Sequence, residues 1–249
     1  MSLEKHIFYT KLLEKISSST DMYNESTGEF FEVELWDTKN NHKPFSYLIK
    51  VLGCYQNFSK NHNEILMSTY FLKNCELFHK EKDLSEKVEY FVKNWILRVA
   101  SHYDILISLI NEVLLLGYIG RTITINNIEN NLHVRENQEL WELLTEIRKI
   151  IDNKILKQTK SKFQNNNEIK HLGSFSDNLI IDIGVIELEH SISSLSILDL
   201  VIDSNIAKNK LIPDIERDNL LIYKKTSLIL DVLNSIFEKK FHDLLIDKI

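Results

Sequence analysis

Two prolines, Pro44 and Pro213, and six glycines are all that punctuate the 249 residues of this chain. Proline removes a backbone donor and glycine loosens the backbone, so a chain that turns often needs many of both. So few turn formers leave long windows for helices and too few corners for an all-β fold. The chain therefore reads as mainly α, a bundle of about five to seven helices with a long central helix. With hydrophobic residues at 43% of its length, it can bury a substantial core, and we read residues 1–249 as a single helical domain.

Apolar spacing places the elements. Leu3, Ile7, Phe8, Leu12, Leu13 and Ile16 predict a first helix that ends at Ser17-Ser18-Ser19. Alternation from Gly28 to Trp36 predicts a short strand or extended arm near residues 29–36. Phe45 to Phe58 and Asn63 to Lys80 each repeat at helical spacing, with the polar run Ser59 to His62 predicting a break between them. Ser85 to Leu116 carries the longest stripe, through Val88, Val92, Trp95, Val99, Tyr103, Leu106 and Ile110, and Gly117 to Gly120 supplies its stop. Thr122 to Asn131 is polar and rich in asparagine, and Glu139 to Lys157 resumes the helical pattern. Leu179 to Ile186 is too short and apolar to assign, Ser191 to Ile202 and Arg217 to Ile246 predict further helices, and Pro213 fits the start of the last one. No repeat of fixed period occurs, which excludes solenoids and arrays.

The formal net charge of -6 and pI near 5.9 argue against non-specific binding to duplex DNA, which needs several cations on one face. A local basic cluster, Lys154, Lys157, Lys160, Lys162 and Lys170, remains, and it reads first as a solvated helix face. Cys54 and Cys75 are too few for a disulfide framework and predict reduced, buried thiols. The stretch Ile105 to Tyr118 is interrupted by Ser108, Asn111 and Glu112, so no segment reaches the roughly 20 apolar residues of a bilayer span. The start, Met1 to His6, lacks a basic region leading into an apolar run, so we expect no signal peptide and a cytoplasmic, bacterial-type protein without a membrane partner.

Candidate chemistry centres on Asn166-Asn167-Glu168-Ile169-Lys170-His171-Leu172-Gly173. A histidine holds or moves a proton near neutral pH, and a neighbouring amide or cation can orient a phosphodiester for attack by a ribose 2′-hydroxyl. His171 is such a histidine, with Asn165, Asn166 and Asn167 beside it, although a solvent-exposed histidine in an asparagine-rich turn has the same sequence.

This segment resembles the signature of the HEPN superfamily, in which an arginine, a polar residue that is often asparagine, three intervening residues and a histidine are followed by a basic residue and glycine. Asn167, Ile169, His171 and Gly173 match, whereas Asn166 stands at the arginine and Leu172 at the basic position. The run Trp95 to Asp104 is similar to the second core helix of a bacterial branch of the same superfamily, and the likeness covers about residues 60–180, with the helices of 190–249 packed on that core. The resemblance implies a homodimer and metal-independent cleavage of RNA linked to toxin or phage-defence systems, with an antitoxin or other partner protein. It would assign catalysis to His171, Asn167 and Asn166, and contacts to RNA to Arg148, Lys162 and Lys170. Asparagine at 166 cannot supply the bidentate phosphate contact of a guanidinium. The alternative is accordingly a non-catalytic helical module that binds a partner or ligand.

Other constellations compete. Arg148 has Glu142 and Asp152 within its own helical reach. Arg98 and His102 share a helix face, with Asp104 following, and they read first as a satisfied polar network inside the bundle rather than as a site. His62, His79 and His102 could converge on a metal, yet no H-x-x-x-H or H-E-x-x-H spacing occurs, and the His242-Asp243 doublet has no supporting partner. No phosphate loop, dinucleotide fingerprint or nucleophile elbow is present, so no cofactor is expected. Tyr47, Phe58, Tyr70, Phe71, Phe78, Tyr90, Phe91 and Trp95 fall at helical spacing and read as packing rather than as a base-stacking platform.

Overall fold

The serine run that predicts an early stop does not end the first helix. Ser18 Oγ donates to the carbonyls of Glu14 at 3.0 Å and Lys15 at 3.1 Å, and Thr20 Oγ1 donates to Ile16 O at 2.9 Å. Hydroxyls that bond back onto the preceding turn let a helix continue where solvent-facing serines would weaken it. In this computed structural model, which describes residues 3–27, 43–78, 84–159 and 197–246, a 3-10 turn at Leu3–Lys5 leads into α1, Ile7–Thr27. There follow α2, Lys43–Lys73, a 3-10 turn at Cys75–Leu77, and α3, Leu84–Leu114. A 3-10 turn at Gly120–Thr122, α4, Ile125–Glu129, and α5, Leu132–Glu136, precede α6, Gln138–Thr159, and α7, Ile197–Ile246.

The fold is all-helical among the described residues, as the scarcity of turn formers predicts. The arm expected near 29–36 and the segment Leu179 to Ile186 lie outside them. Two further predicted boundaries are absent. The break at Ser59 to His62 is not a break, because α2 passes through it. The final two predicted helices are one helix of 50 residues, and Pro213 stands in its interior rather than at its start. Pro213 is exposed and lacks the one bond its missing N–H would have made, which a helix anchored beyond it by buried Ile215 and Ile222 tolerates.

Two compact units emerge. The first comprises Met1–Lys60, Asp104–Thr145 and Lys225–Ile249, and the second Asn61–Tyr103 and Glu146–Lys224. In the first, Phe8 stacks on Tyr55 with ring centroids 5.4 Å apart and meets Phe237 at 5.5 Å, and Tyr55 Oη donates to Leu3 O at 2.6 Å. Full burial of such rings removes water from well over a hundred Å2 of apolar surface each, roughly 2–3 kcal/mol per side chain. The polar stretch after α3 serves as caps: Thr124, Asn131 and Asn137 accept from the amides of Asn127, His133 and Leu140 at 3.2, 3.0 and 3.0 Å. Gly117 sits at φ 78°, a left-handed conformation that a Cβ disfavours even in open space. Gly117→Ala is expected to lower stability by about 1 kcal/mol, readable as a reduced thermal midpoint; an unchanged midpoint would show that the loop relaxes.

In the second unit α2 and α3 run antiparallel, since residue numbers rise on one as they fall on the other across the pairs Asn61 and His102, Glu64 and Arg98, and Phe71 and Phe91. Trp95 and Ile65 are buried between them in sequence register, while Tyr70 and Tyr90, read as packing, stand 60% and 57% exposed. The helical hairpin explains this: Phe71 and Phe91 face each other, and the residue before each turns about 100° away, to one shared face.

Candidate functional site

The residues read as a break turn out to be the polar centre of the second unit. Phe58, His62, Ile65, Thr69 and Leu72 continue one buried stripe at three- and four-residue spacing, so Asn61 and His62 are carried inward with it, 3% and 1% exposed. His102, fully buried on α3, meets them there. A carbonyl oxygen only accepts, so the 3.0 Å contact from His102 Nδ1 to Asn61 Oδ1 places the proton on Nδ1. The His62 ring lies 5.8 Å from that of His102 and 5.6 Å from that of Tyr223 on α7. Neither His62 nitrogen has a hydrogen-bond partner among the described residues.

Burial disfavours the charged imidazolium and lowers both groups, His62 to about 4 and His102 to about 3, the latter also through its histidine neighbour. Both rings are therefore neutral near pH 7. A second polar chain crosses the same unit: Trp95 Nε1 donates to Asn219 Oδ1 at 2.8 Å, and Asn219 Nδ2 donates to Thr69 Oγ1 at 2.8 Å. Arg98 Nη1 stands 2.9 Å from Glu64 Oε2, an ion pair at the surface.

The chemical capacity of this cluster is limited. Acid–base work on a phosphodiester needs a ring nitrogen within about 3 Å of the substrate, and a fully buried neutral His102 offers none. Among the described residues no group of three histidine, cysteine, aspartate or glutamate side chains could hold a metal ion, although His62 and His102 do converge as the metal reading required. His79, the third histidine of that reading, lies outside the described residues. Cys54 and Cys75 are free thiols, and burial raises both, Cys54 to about 11, which leaves them protonated and unreactive.

Arg148, the proposed cation, is on α6 and part-buried, and Asp104 is part-buried on α3. Asn166, Asn167, His171, Lys162 and Lys170 lie outside the described residues, so their arrangement about Arg148 is not described. The sequence did contain a signal for Asn61 and His62: they fall in phase with the apolar stripe on either side. Asn219 and Tyr223 gave none, because nothing local marks which polar residue of a long helix turns inward.

A family model described as Cthe2314-like HEPN matches residues 34–169, more than half of the 249-residue chain. The chain belongs to this HEPN family. No curated protein and no solved structure matches it. The HEPN match takes in α2 through α6 and therefore both helices that carry the buried histidine pair. It includes Asn166 and Asn167 and ends two residues before His171. No helix among the described residues of this HEPN protein is long and apolar enough to cross a membrane.

Proposed function

We propose that this HEPN-type protein is a binding module that engages RNA without cleaving it efficiently, working as a homodimer. The observation that carries the reading is the state of Arg98 and His102, the arginine–histidine pair on one helix face. The arginine is committed to Glu64 and the histidine is buried, neutral and bonded to Asn61. A pair so engaged supports the helix packing and leaves no guanidinium and imidazole to share a phosphate. Contacts to RNA fall instead to Lys162, Lys170, Arg148, Asn166, Asn167 and His171. The second reading, a weakened metal-independent endoribonuclease, is favoured by one feature, the match of Asn167 and His171 to the cleavage signature.

Labelled single-stranded RNA incubated with the protein in the presence of a chelator separates the two. We expect retention of the RNA without turnover, with His171→Ala weakening retention modestly and leaving turnover absent, and binding weakened about tenfold at low salt when Lys162 and Lys170 are both replaced by glutamate. Cleavage that disappears in His171→Ala and rises in Asn166→Arg would establish the nuclease instead. RNA binding indifferent to both lysines would remove the RNA assignment.

A further inference from the structure

Away from the histidine pair, the first unit contains a cleft of about 510 Å3 walled by the start of α2, the end of α3 and the loop that follows it. Lys43 and Lys50 line it from α2, one face of the helix and about 10 Å apart along its axis. Glu112 lines it from α3. Because Tyr47 Oη donates to Val113 O at 3.0 Å and the two helices are antiparallel, Glu112 stands opposite the stretch between the lysines. The cleft thus presents a cation, an anion and a cation in that order.

Among the described residues these charges do not neutralise one another. Neither lysine is within ion-pair distance of Glu112, whose carboxylate instead accepts from the neighbouring Asn111 amide at 3.0 Å. Glu112 also falls in the last turn of α3, where the helix dipole and the unpaired carbonyls already favour a positive charge. An acid there adds to the negative potential instead of offsetting it, so side chain and helix end both suit a bound cation. The remaining wall is apolar and held in place. Leu115 and Ile119 line the cleft yet stand 45% and 82% exposed. Asn111, 2% exposed, fixes the loop between them, donating to Tyr118 O at 3.1 Å and accepting from Tyr118 N at 3.2 Å. Leu115 itself has φ 55°, a left-handed conformation that a leucine keeps only where its surroundings enforce it. A wall fixed in advance spares a ligand the entropy of ordering it.

We propose that this cleft binds a free dipeptide of an acidic and then an aromatic residue, with its ammonium at Glu112, its two carboxylates at Lys43 and Lys50, and its ring against Tyr118 and Ile119. Charge selects the class. Two cations and one anion leave the site with one net positive charge, and such a dipeptide carries one carboxylate on either side of its ammonium. Its ring covers apolar side chains that otherwise face water. A single acidic amino acid lacks the ring, and a fatty acid lacks the ammonium. The assignment does not depend on the RNA reading, whose residues are elsewhere in the chain.

Calorimetric titration of the full chain with glutamyl-phenylalanine, its N-acetyl form and its C-terminal amide tests it. We expect the free dipeptide to bind tighter than about 1 mM and each capped form to bind about tenfold more weakly, the ratio for one lost charged contact. Glu112→Gln should bring the free and acetylated peptides to equal affinity, and replacing Lys43 and Lys50 together by glutamine should weaken the free dipeptide by about tenfold or more. Hydrogen exchange of the wild-type chain gives a readout independent of variants: amides of residues 115–122 should slow on adding the free dipeptide. No slowing, no binding at about 1 mM, equal affinity of the unaltered protein for free and capped dipeptides, or a variant that folds and binds all three like the wild type would each overturn the proposal.

Discussion

Lowering the pH from about 7.5 to about 4.5 is expected to remove several kcal/mol of stability, most of it through two side chains. His62 and His102 titrate near 6.5 when the chain is unfolded but near 4 and 3 when it is folded. A base whose folded value is depressed is bound by protons more readily in the unfolded chain. Its stabilising contribution is therefore fully present above about pH 6.5 and drains away as the pH falls toward the folded values. Each histidine loses on the order of 3 kcal/mol by about pH 4, a large share of the ~5–15 kcal/mol that holds a typical domain together. Urea midpoints across this range measure it, with His62→Leu as the control. Leucine has a similar volume and removes two buried nitrogens that have no partner among the described residues. That variant should be about 1 kcal/mol more stable near neutral pH and should show a visibly shallower acid decline. A decline as steep as in the unaltered protein would mean that carboxylates, not this pair, set the acid limit.

The second large effect is at Asn219. Its carbonyl takes the Trp95 indole proton and its amide reaches Thr69, all within the buried part of the second unit. Asn219→Ala strands the indole N–H, leaves the Thr69 hydroxyl only its bond to Ile65 O, and opens a small cavity, a combined loss of about 3 kcal/mol. Trp95→Phe removes the indole donor beforehand. In that background Asn219→Ala should cost at least about 1 kcal/mol less, a coupling that a double-mutant cycle reads directly. Strict additivity would show that the two groups do not act together.

The helical character of the chain, its long α3 and the stop after it were legible because they rest on local physics: apolar spacing, and glycines 117 and 120 at positive φ. The errors have a common origin. Ser18, Thr20, Asn61 and His62 are polar, and local rules assign polar residues to ends and breaks. In the folded chain the hydroxyls are satisfied by their own helix, and Asn61 by a side chain 41 residues away. Pro213 was misplaced for the same reason, since the helix that carries it is sustained by packing and not by propensity. Of the candidate site, Arg98 and His102 could be singled out from spacing, but their partners Glu64 and Asn61 could not, because pairing between helices depends on how far one slides along the other.

That last dependence is resolved by the polar residues themselves. An apolar helix seam is nearly periodic, so displacing one helix by a turn, about 5.4 Å, replaces each leucine or isoleucine by another of similar shape. In the second unit such a slip of α2 would part Asn61 from His102, Thr69 from Asn219 and Glu64 from Arg98 at one stroke. The buried amides and imidazoles thus act as an index mark on otherwise interchangeable surfaces, selecting one axial alignment out of several that an oily seam alone would accept. An insertion or deletion between residues 61 and 69 would break that alignment even if every apolar contact were restored.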